Sequence, residues 1–78
     1  MALKPIYFPQ SEAIACIVYD GRTKILGITF TNDRSYNYPG IPRDIYEGWL
    51  KHVRLGGSVS AYWREHIANI YDSIKVNA

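Results

Sequence analysis

The feature that most restricts the fold of this chain is its single cysteine, Cys16, in a length of only 78 residues. A chain this short buries only about 60% of its unfolded surface, so small domains often need disulfides, a metal or self-association. One cysteine excludes an internal disulfide, and one cysteine with two histidines does not predict a structural zinc site. We therefore predict a single domain that binds no cofactor. We expect this domain to form a homo-oligomer, most simply a dimer.

The overall composition is that of an ordered protein. Hydrophobic residues make up 47% of the chain and charged residues only 21%, which argues against disorder. The apolar runs are too short to span a membrane, and the first residues lack the apolar stretch of a signal peptide, so we expect a cytoplasmic protein without a membrane partner. The net charge of +2 permits a nucleic-acid partner without requiring one.

Residues 1–13 form a segment distinct from the rest of the chain. Pro5 and Pro9 bracket an apolar stretch, and both prolines disfavour a helix. We predict an extended apolar arm that lies over its own domain or crosses to a neighbouring subunit, followed by one domain over residues 14–76.

Alternating apolar residues predict a β-hairpin from strands near residues 14–19 and 25–30. A four-residue loop, 21–24, pairs Asp20 with Ile25. The face then expected to turn inward consists of Ile17, Tyr19, Leu26, Ile28 and Phe30. The opposite face consists of Cys16, Val18, Ile25 and Thr29. This second face is apolar for a surface in water, and we expect the N-terminal arm to cover it.

The next turn decides where Tyr36 and Tyr38 of the third strand point. A two-residue loop, 32–33, places both tyrosines on the outer face. A three-residue loop, 31–33, pairs Ile28 with Tyr36 and places them on the core face. We favour the core face because a sheet this small needs the bulk of two aromatic residues.

Two helices are predicted after the sheet. The first spans about 42–54, with proline at its first position, and the glycine pair 56–57 ends it. Ser58 or Ser60 caps a second helix that runs to about Ile74. Its apolar stripe consists of Val59, Trp63, Ile67, Ile70 and Ile74. The order β-β-β-α-α predicts an α+β fold, with a three-stranded antiparallel sheet and both helices packed on one face.

A series of short motifs resembles those of a known family. The chain contains a Tyr-x-Tyr motif that is followed three residues later by an aliphatic residue and proline. The residues of that motif are Tyr36, Tyr38, Ile41 and Pro42. Other matching residues are Tyr19, Asp20, Leu26, Ile28, Phe30, Ile45 and Tyr46. From Ile14 to Tyr71 the chain thus resembles the KTSC domain, a short module named for the C-terminus of some lysyl-tRNA synthetases and also found free-standing.

The resemblance implies the fold of that family and suggests RNA binding. The family's Ser-x-Gly-x-Tyr-Phe-Asn run is similar to residues 58–64. The chain departs from that run at Ser60, Trp63 and Arg64, and it has Asp33 where the family has a turn glycine.

The titratable residues do not predict a catalytic group. The aspartates of the two turns are separated, and Cys16 within a strand is typical of a small apolar filler. His52 near the end of the first helix and His66 beside the stripe of the second are explained as helix-surface residues. We expect the protein not to be an enzyme.

Arginines and tyrosines are the candidate ligand-binding residues, because aromatic rings and guanidinium planes stack on unpaired bases and cations neutralise phosphates. The candidates are Tyr36, Tyr38, Tyr46, Tyr62, Arg43, Arg54 and Arg64. Arg43 is expected near a helix N-terminus, where it would help to bind a phosphate. The alternative is that the tyrosines pack in the core and the arginines are solvated charges.

Two functions remain open. The first is a non-catalytic module that binds RNA. The second is a self-associating protein of the phage or mobile-element type that binds a small nucleotide or inhibits a protein partner. RNA binding should weaken steeply with salt because counterions are released, whereas a buried pocket or a protein interface should respond less.

Overall fold

Five antiparallel strands form a single sheet in chain order in the computed structural model, which describes residues 4–76. The strands are β1 (Ile6–Tyr7), β2 (Ile14–Asp20), β3 (Ile25–Phe30), β4 (Ser35–Tyr38) and β5 (Ile74–Val76). The α+β class is confirmed, but the prediction of three strands is wrong. The two additional strands are the short edges β1 and β5, which have too few residues to show an alternating pattern.

The predicted N-terminal arm supplies β1. Ile6 pairs with Ile17 of β2. Phe8, which follows β1, is only 4% exposed and stacks on Trp49 with a ring-centroid distance of 6.2 Å. The arm thus extends the sheet and enters the core, and it leaves uncovered the outer face that we expected it to cover. Residues 1–3 of the arm lie outside the described residues.

Both predicted hairpin registers are confirmed. In the first hairpin Asp20 pairs with Ile25. In the second, Ile28 pairs with Tyr36, so the three-residue loop is correct and both tyrosines of β4 lie on the core face. Tyr38 is buried at 5% exposure, and Tyr36 is half-buried.

The first helix, α1 (Arg43–Arg54), agrees with its prediction. The chain leaves it at Gly56, whose φ of 91° is a conformation that favours glycine. Ser58 caps the second helix, α2 (Val59–Trp63), because its side-chain oxygen accepts a hydrogen bond from the Ala61 amide at 3.3 Å.

The prediction of a long second helix is wrong beyond Ala68. A single π-helical turn, Arg64–Ala68, continues from α2, and the chain then leaves the helix and forms β5. Ile70 and Ile74, which we expected in the apolar stripe, are each 63% exposed.

The core lies between the inner face of the sheet and the helices. Its buried members are Phe8, Ile14, Ile17, Leu26, Ile28, Tyr38, Ile41, Trp49, Val59, Tyr62 and Ile67. Trp49 is fully buried, and its indole N–H donates to the Val59 carbonyl at 3.1 Å. This bond joins α1 to the start of α2.

A candidate aromatic binding cleft

An open cleft of about 340 Å³ lies between β4 and α2, next to the turn that joins β3 to β4. Four aromatic and three polar residues line it. These residues are Phe30, Tyr36, Tyr38, Trp63, Asn32, Arg34 and Ser73. We call this feature the aromatic cleft.

Edge-to-face contacts fix the aromatic walls of the cleft. Phe30 meets Tyr36 at a ring-centroid distance of 5.7 Å and an interplanar angle of 78°, and it meets Trp63 at 5.3 Å and 74°. The Trp63 indole N–H donates to the Tyr38 hydroxyl oxygen at 3.3 Å. Phe30, Tyr36 and Trp63 are each half-buried. Each therefore holds a fixed orientation and still presents part of its surface to the solvent.

Arg34 is the one cation among the residues that line the aromatic cleft. Its backbone amide donates to the Asn32 side-chain oxygen at 3.1 Å, and its carbonyl accepts from the Phe30 amide at 2.8 Å. These two bonds hold the backbone of the turn while the Arg34 side chain remains exposed. No carboxylate lines the cleft, so no lining group neutralises this charge.

Of the seven candidate residues, the structure places Tyr36 and Tyr38 in the aromatic cleft. They have different roles there. Tyr36 keeps part of its ring accessible, whereas Tyr38 is buried and accepts the hydrogen bond from Trp63. Because Tyr38 is buried on the core face, its ring is not available to stack on a ligand.

Arg43 and Tyr46 lie elsewhere, beside the β2–β3 turn at the other end of β3. The Tyr46 ring stacks on Tyr19 at a centroid distance of 4.6 Å and 16°. The Tyr19 hydroxyl donates to the Ile41 carbonyl at 2.7 Å, and the Arg43 guanidinium lies against Gly21. Burial raises the pKa of Tyr19 and of Tyr46. These contacts join the first hairpin to α1. They account for the positions of Arg43 and Tyr46 by packing, and no ligand is needed to explain them.

The remaining candidates are separated from one another. Tyr62 belongs to the core: it is 9% exposed, and its hydroxyl donates to the Ile45 carbonyl at 2.8 Å. Arg54 is exposed in the last turn of α1, and Arg64 is exposed at the start of the π-helical turn. The predicted set therefore does not form one site.

Sequence reasoning did not assign Phe30 or Trp63 to a site, and it considered Arg34 only as one of the cations at the hairpin tips. The three-residue loop contained a signal for Phe30, because that register sets it opposite Arg34 at the mouth of the hairpin. Trp63 could not be placed in the same way. It reaches the cleft only through the packing of α2 on the sheet.

Both histidines contact neighbouring groups of the fold. His66 packs on Tyr62 at a centroid distance of 4.2 Å, and the His52 ring nitrogen lies 3.1 Å from the Ser58 carbonyl oxygen.

Within residues 4–76, no three histidines, cysteines or acidic residues gather as a group of metal ligands. Over the same residues, no helix is both long and apolar enough to cross a membrane.

Comparison with known proteins identifies the family. The crystal structure of a KTSC domain protein from Yersinia pestis superimposes with a TM-score of 0.84 at 22% sequence identity, over 97% of this chain and 100% of that chain. This similarity concerns the fold. A search of curated proteins finds no match. The family model of the KTSC domain matches residues 10–71, most of the chain. The chain therefore belongs to the KTSC domain family.

Proposed function

We propose that this protein is a non-catalytic module that binds single-stranded RNA, with an unpaired base in the aromatic cleft. The observation that carries the proposal is the meeting of four aromatic side chains and one unopposed arginine in a single cleft. Stacking of a base on an aromatic ring contributes about 1–3 kcal/mol, and an adjacent arginine can neutralise a phosphate of the same strand.

A single strand suits the cleft better than a duplex. In a duplex the base faces are stacked on one another and cannot reach the rings of Tyr36 and Trp63. Duplex binding also relies on a dense basic surface, and this chain has a net charge of only +2. The cleft volume of about 340 Å³ lies at the lower end of the range for small-ligand pockets, which suits one base with its sugar.

A small nucleotide is the second candidate, because the same cleft could hold one base without a polymer. Salt separates the two candidates. A strand whose phosphates contact several cations loses affinity steeply as salt rises, whereas a mononucleotide held by stacking and one cation loses much less.

Intrinsic fluorescence provides a direct assay for the cleft. The chain has two tryptophans, of which Trp49 is fully buried and Trp63 lines the cleft. A base that stacks in the cleft should therefore quench Trp63. We propose titrations with short single-stranded RNAs and with a panel of cyclic nucleotides, each at low and high salt.

Arg34→Ala is the decisive variant, and Arg22→Ala is its control, because both side chains are exposed on hairpin turns. We expect Arg34→Ala to weaken RNA binding about tenfold, or 1.4 kcal/mol, and to reduce the salt slope by about one, while Arg22→Ala changes neither. Arg43→Ala tests the α1 N-terminus. An effect of Arg43→Ala alone would move the site away from the cleft.

The same titrations can refute both ligand proposals. If neither RNA nor any cyclic nucleotide binds more tightly than about 100 micromolar, near −5.5 kcal/mol, both ligand proposals are wrong and a protein partner becomes the better interpretation.

A further inference from the structure

The sheet has one face covered by helices and one face that no described element covers. We call the second one the outer face. The strand register assigns to it Tyr7, Cys16, Val18, Asp20, Ile25, Gly27, Thr29, Ser35, Asn37, Ile74 and Val76. At its two edges the apolar side chains are well exposed, with Tyr7 at 68%, Ile74 at 63% and Val76 at 38%.

Charge is nearly absent from this outer face. Among the outward residues of the five described strands, only Asp20 carries a charge, and it lies at the end of β2, where the Arg22 amide donates to it. An antiparallel sheet with a solvated face normally turns polar residues outward. Depletion of charge together with exposed aromatic and aliphatic side chains is instead typical of the centre of a protein interface.

Two of the central polar residues, Thr29 and Ser35, are already partnered within the face. The hydroxyl oxygens of Thr29 and Ser35 lie 3.0 Å apart in a hydrogen bond. Val18 and Asn37 lie over Gly27, where a β-carbon would meet them at 3.1 Å and 3.3 Å. Burial of this region against another surface would therefore leave the Thr29 and Ser35 hydroxyls paired with each other, and the Asn37 side chain would take its hydrogen bonds from the other surface.

We propose that the outer face binds a second copy of this chain and forms a two-fold symmetric dimer by face-to-face packing of the two sheets. A two-fold contact sets each surface against a copy of itself, so a charged surface would meet like charges. This face avoids that repulsion, and it offers no charge for a partner of opposite sign to recognise. The inference is independent of RNA binding, because the aromatic cleft lies on the helical side of the sheet.

The size of the face also fits a dimer. The molecule is nearly equidimensional, at 28 × 28 × 27 Å, so one of its six sides takes about one sixth of the 5396 Å² accessible surface, or about 900 Å². A stable interface typically buries about 800 Å² on each partner. Pairing through a sheet edge is less suitable, because β1 has two residues between Pro5 and Pro9, and β5 has three.

The test is the mass of the full chain in solution at tens of micromolar, by light scattering or sedimentation equilibrium. We expect about twice the chain mass of 8.9 kDa. Ile74→Lys places a charge on the outer face, and Ile70→Lys is a matched control, since both isoleucines are 63% exposed and Ile70 lies outside the sheet. We expect Ile74→Lys to weaken dimerisation at least tenfold and Ile70→Lys to change it less than twofold.

A second pair of variants leaves β5 unchanged, because Ile74→Lys in the first pair could misfold that strand. Tyr7→Lys changes the opposite edge of the outer face, and Leu55→Lys is its control, with 68% and 77% exposure in the wild type. Circular dichroism verifies that each variant is folded. If the wild type is a monomer, the proposal that the outer face binds a second copy of this chain is wrong, and another partner becomes the better interpretation of this face. An assembly larger than a dimer, or controls that dissociate as much as the outer-face variants, also refutes the proposal.

Discussion

Replacement of Gly48 by alanine should destabilise the protein, although alanine is the better helix former. Gly48 lies inside α1, where the change from glycine to alanine normally stabilises by about 0.5–1 kcal/mol. A β-carbon at this position would lie 2.6 Å from the Tyr62 hydroxyl oxygen. That hydroxyl donates to the Ile45 carbonyl at 2.8 Å, so the new methyl group takes the space that the hydrogen bond needs.

The magnitude follows from how tightly the Tyr62 ring is held. The ring packs against Trp49 at a centroid distance of 5.8 Å and against His66 at 4.2 Å, so it cannot move away freely. Overpacking costs about 1–3 kcal/mol, and a weakened hydrogen bond about 0.5–1.5 kcal/mol. After the helical gain is subtracted, we expect Gly48→Ala to lower the free energy of unfolding by about 0.5–4 kcal/mol.

A double-mutant cycle in urea isolates this contact. Tyr62→Phe removes the hydroxyl oxygen, and the nearest remaining ring atom then lies 3.6 Å from the added β-carbon, an ordinary van der Waals distance. In that background Gly48→Ala should be neutral or stabilising by up to about 1 kcal/mol, rather than destabilising as in the wild type. Stabilisation of the wild type by Gly48→Ala, or a coupling of less than about 0.5 kcal/mol between the two substitutions, would contradict the proposed clash.

Two further predictions concern the β2–β3 turn. Lys24 has a φ of 62°, where a residue with a side chain is strained, so Lys24→Gly should stabilise by about 1 kcal/mol in urea denaturation, and an equal gain from the control Thr23→Gly would contradict this cause. The Arg22 amide holds the pKa of Asp20 below its usual range. The stability from that bond is present above the unfolded pKa, near 3.9, and is lost as pH falls through the folded pKa, so Asp20→Asn should have a shallower acid dependence than the wild type. Identical slopes below pH 4 would contradict it.

The hairpins could be predicted because their information is local. The loop at residues 21–24 sets the register of the first hairpin, and that register brings Ile17, Leu26 and Ile28 together on a face that the core can bury. For β4 the pattern fitted two loop lengths, and Tyr36 and Tyr38 were placed on the core face because so small a sheet needs their bulk, which the register confirms. The glycine pair after α1 was similarly informative, since a positive φ at Gly56 ends the helix.

The edges of the sheet could not be predicted in this way. Strands of two and three residues have no usable period, and they form because β2 and β4 offer them unpaired backbone groups. Ile70 and Ile74 also continue a helical spacing, yet the chain leaves the helix after Ala68. The aromatic cleft has the same origin: Phe30 and Trp63 are far apart in sequence and meet only through tertiary packing.

The direction of the two edge strands has a mechanical consequence. β1 and β5 are parallel to each other at opposite edges of the antiparallel sheet, and the chain enters at β1 and leaves at β5. Tension applied between Lys4 and Val76 therefore pulls the two edges in opposite senses along their length and loads the backbone hydrogen bonds in shear. The weaker edge is β1, which has only two paired residues. Its detachment would draw Phe8 away from Trp49, so a pulling force would open the core from the N-terminal side.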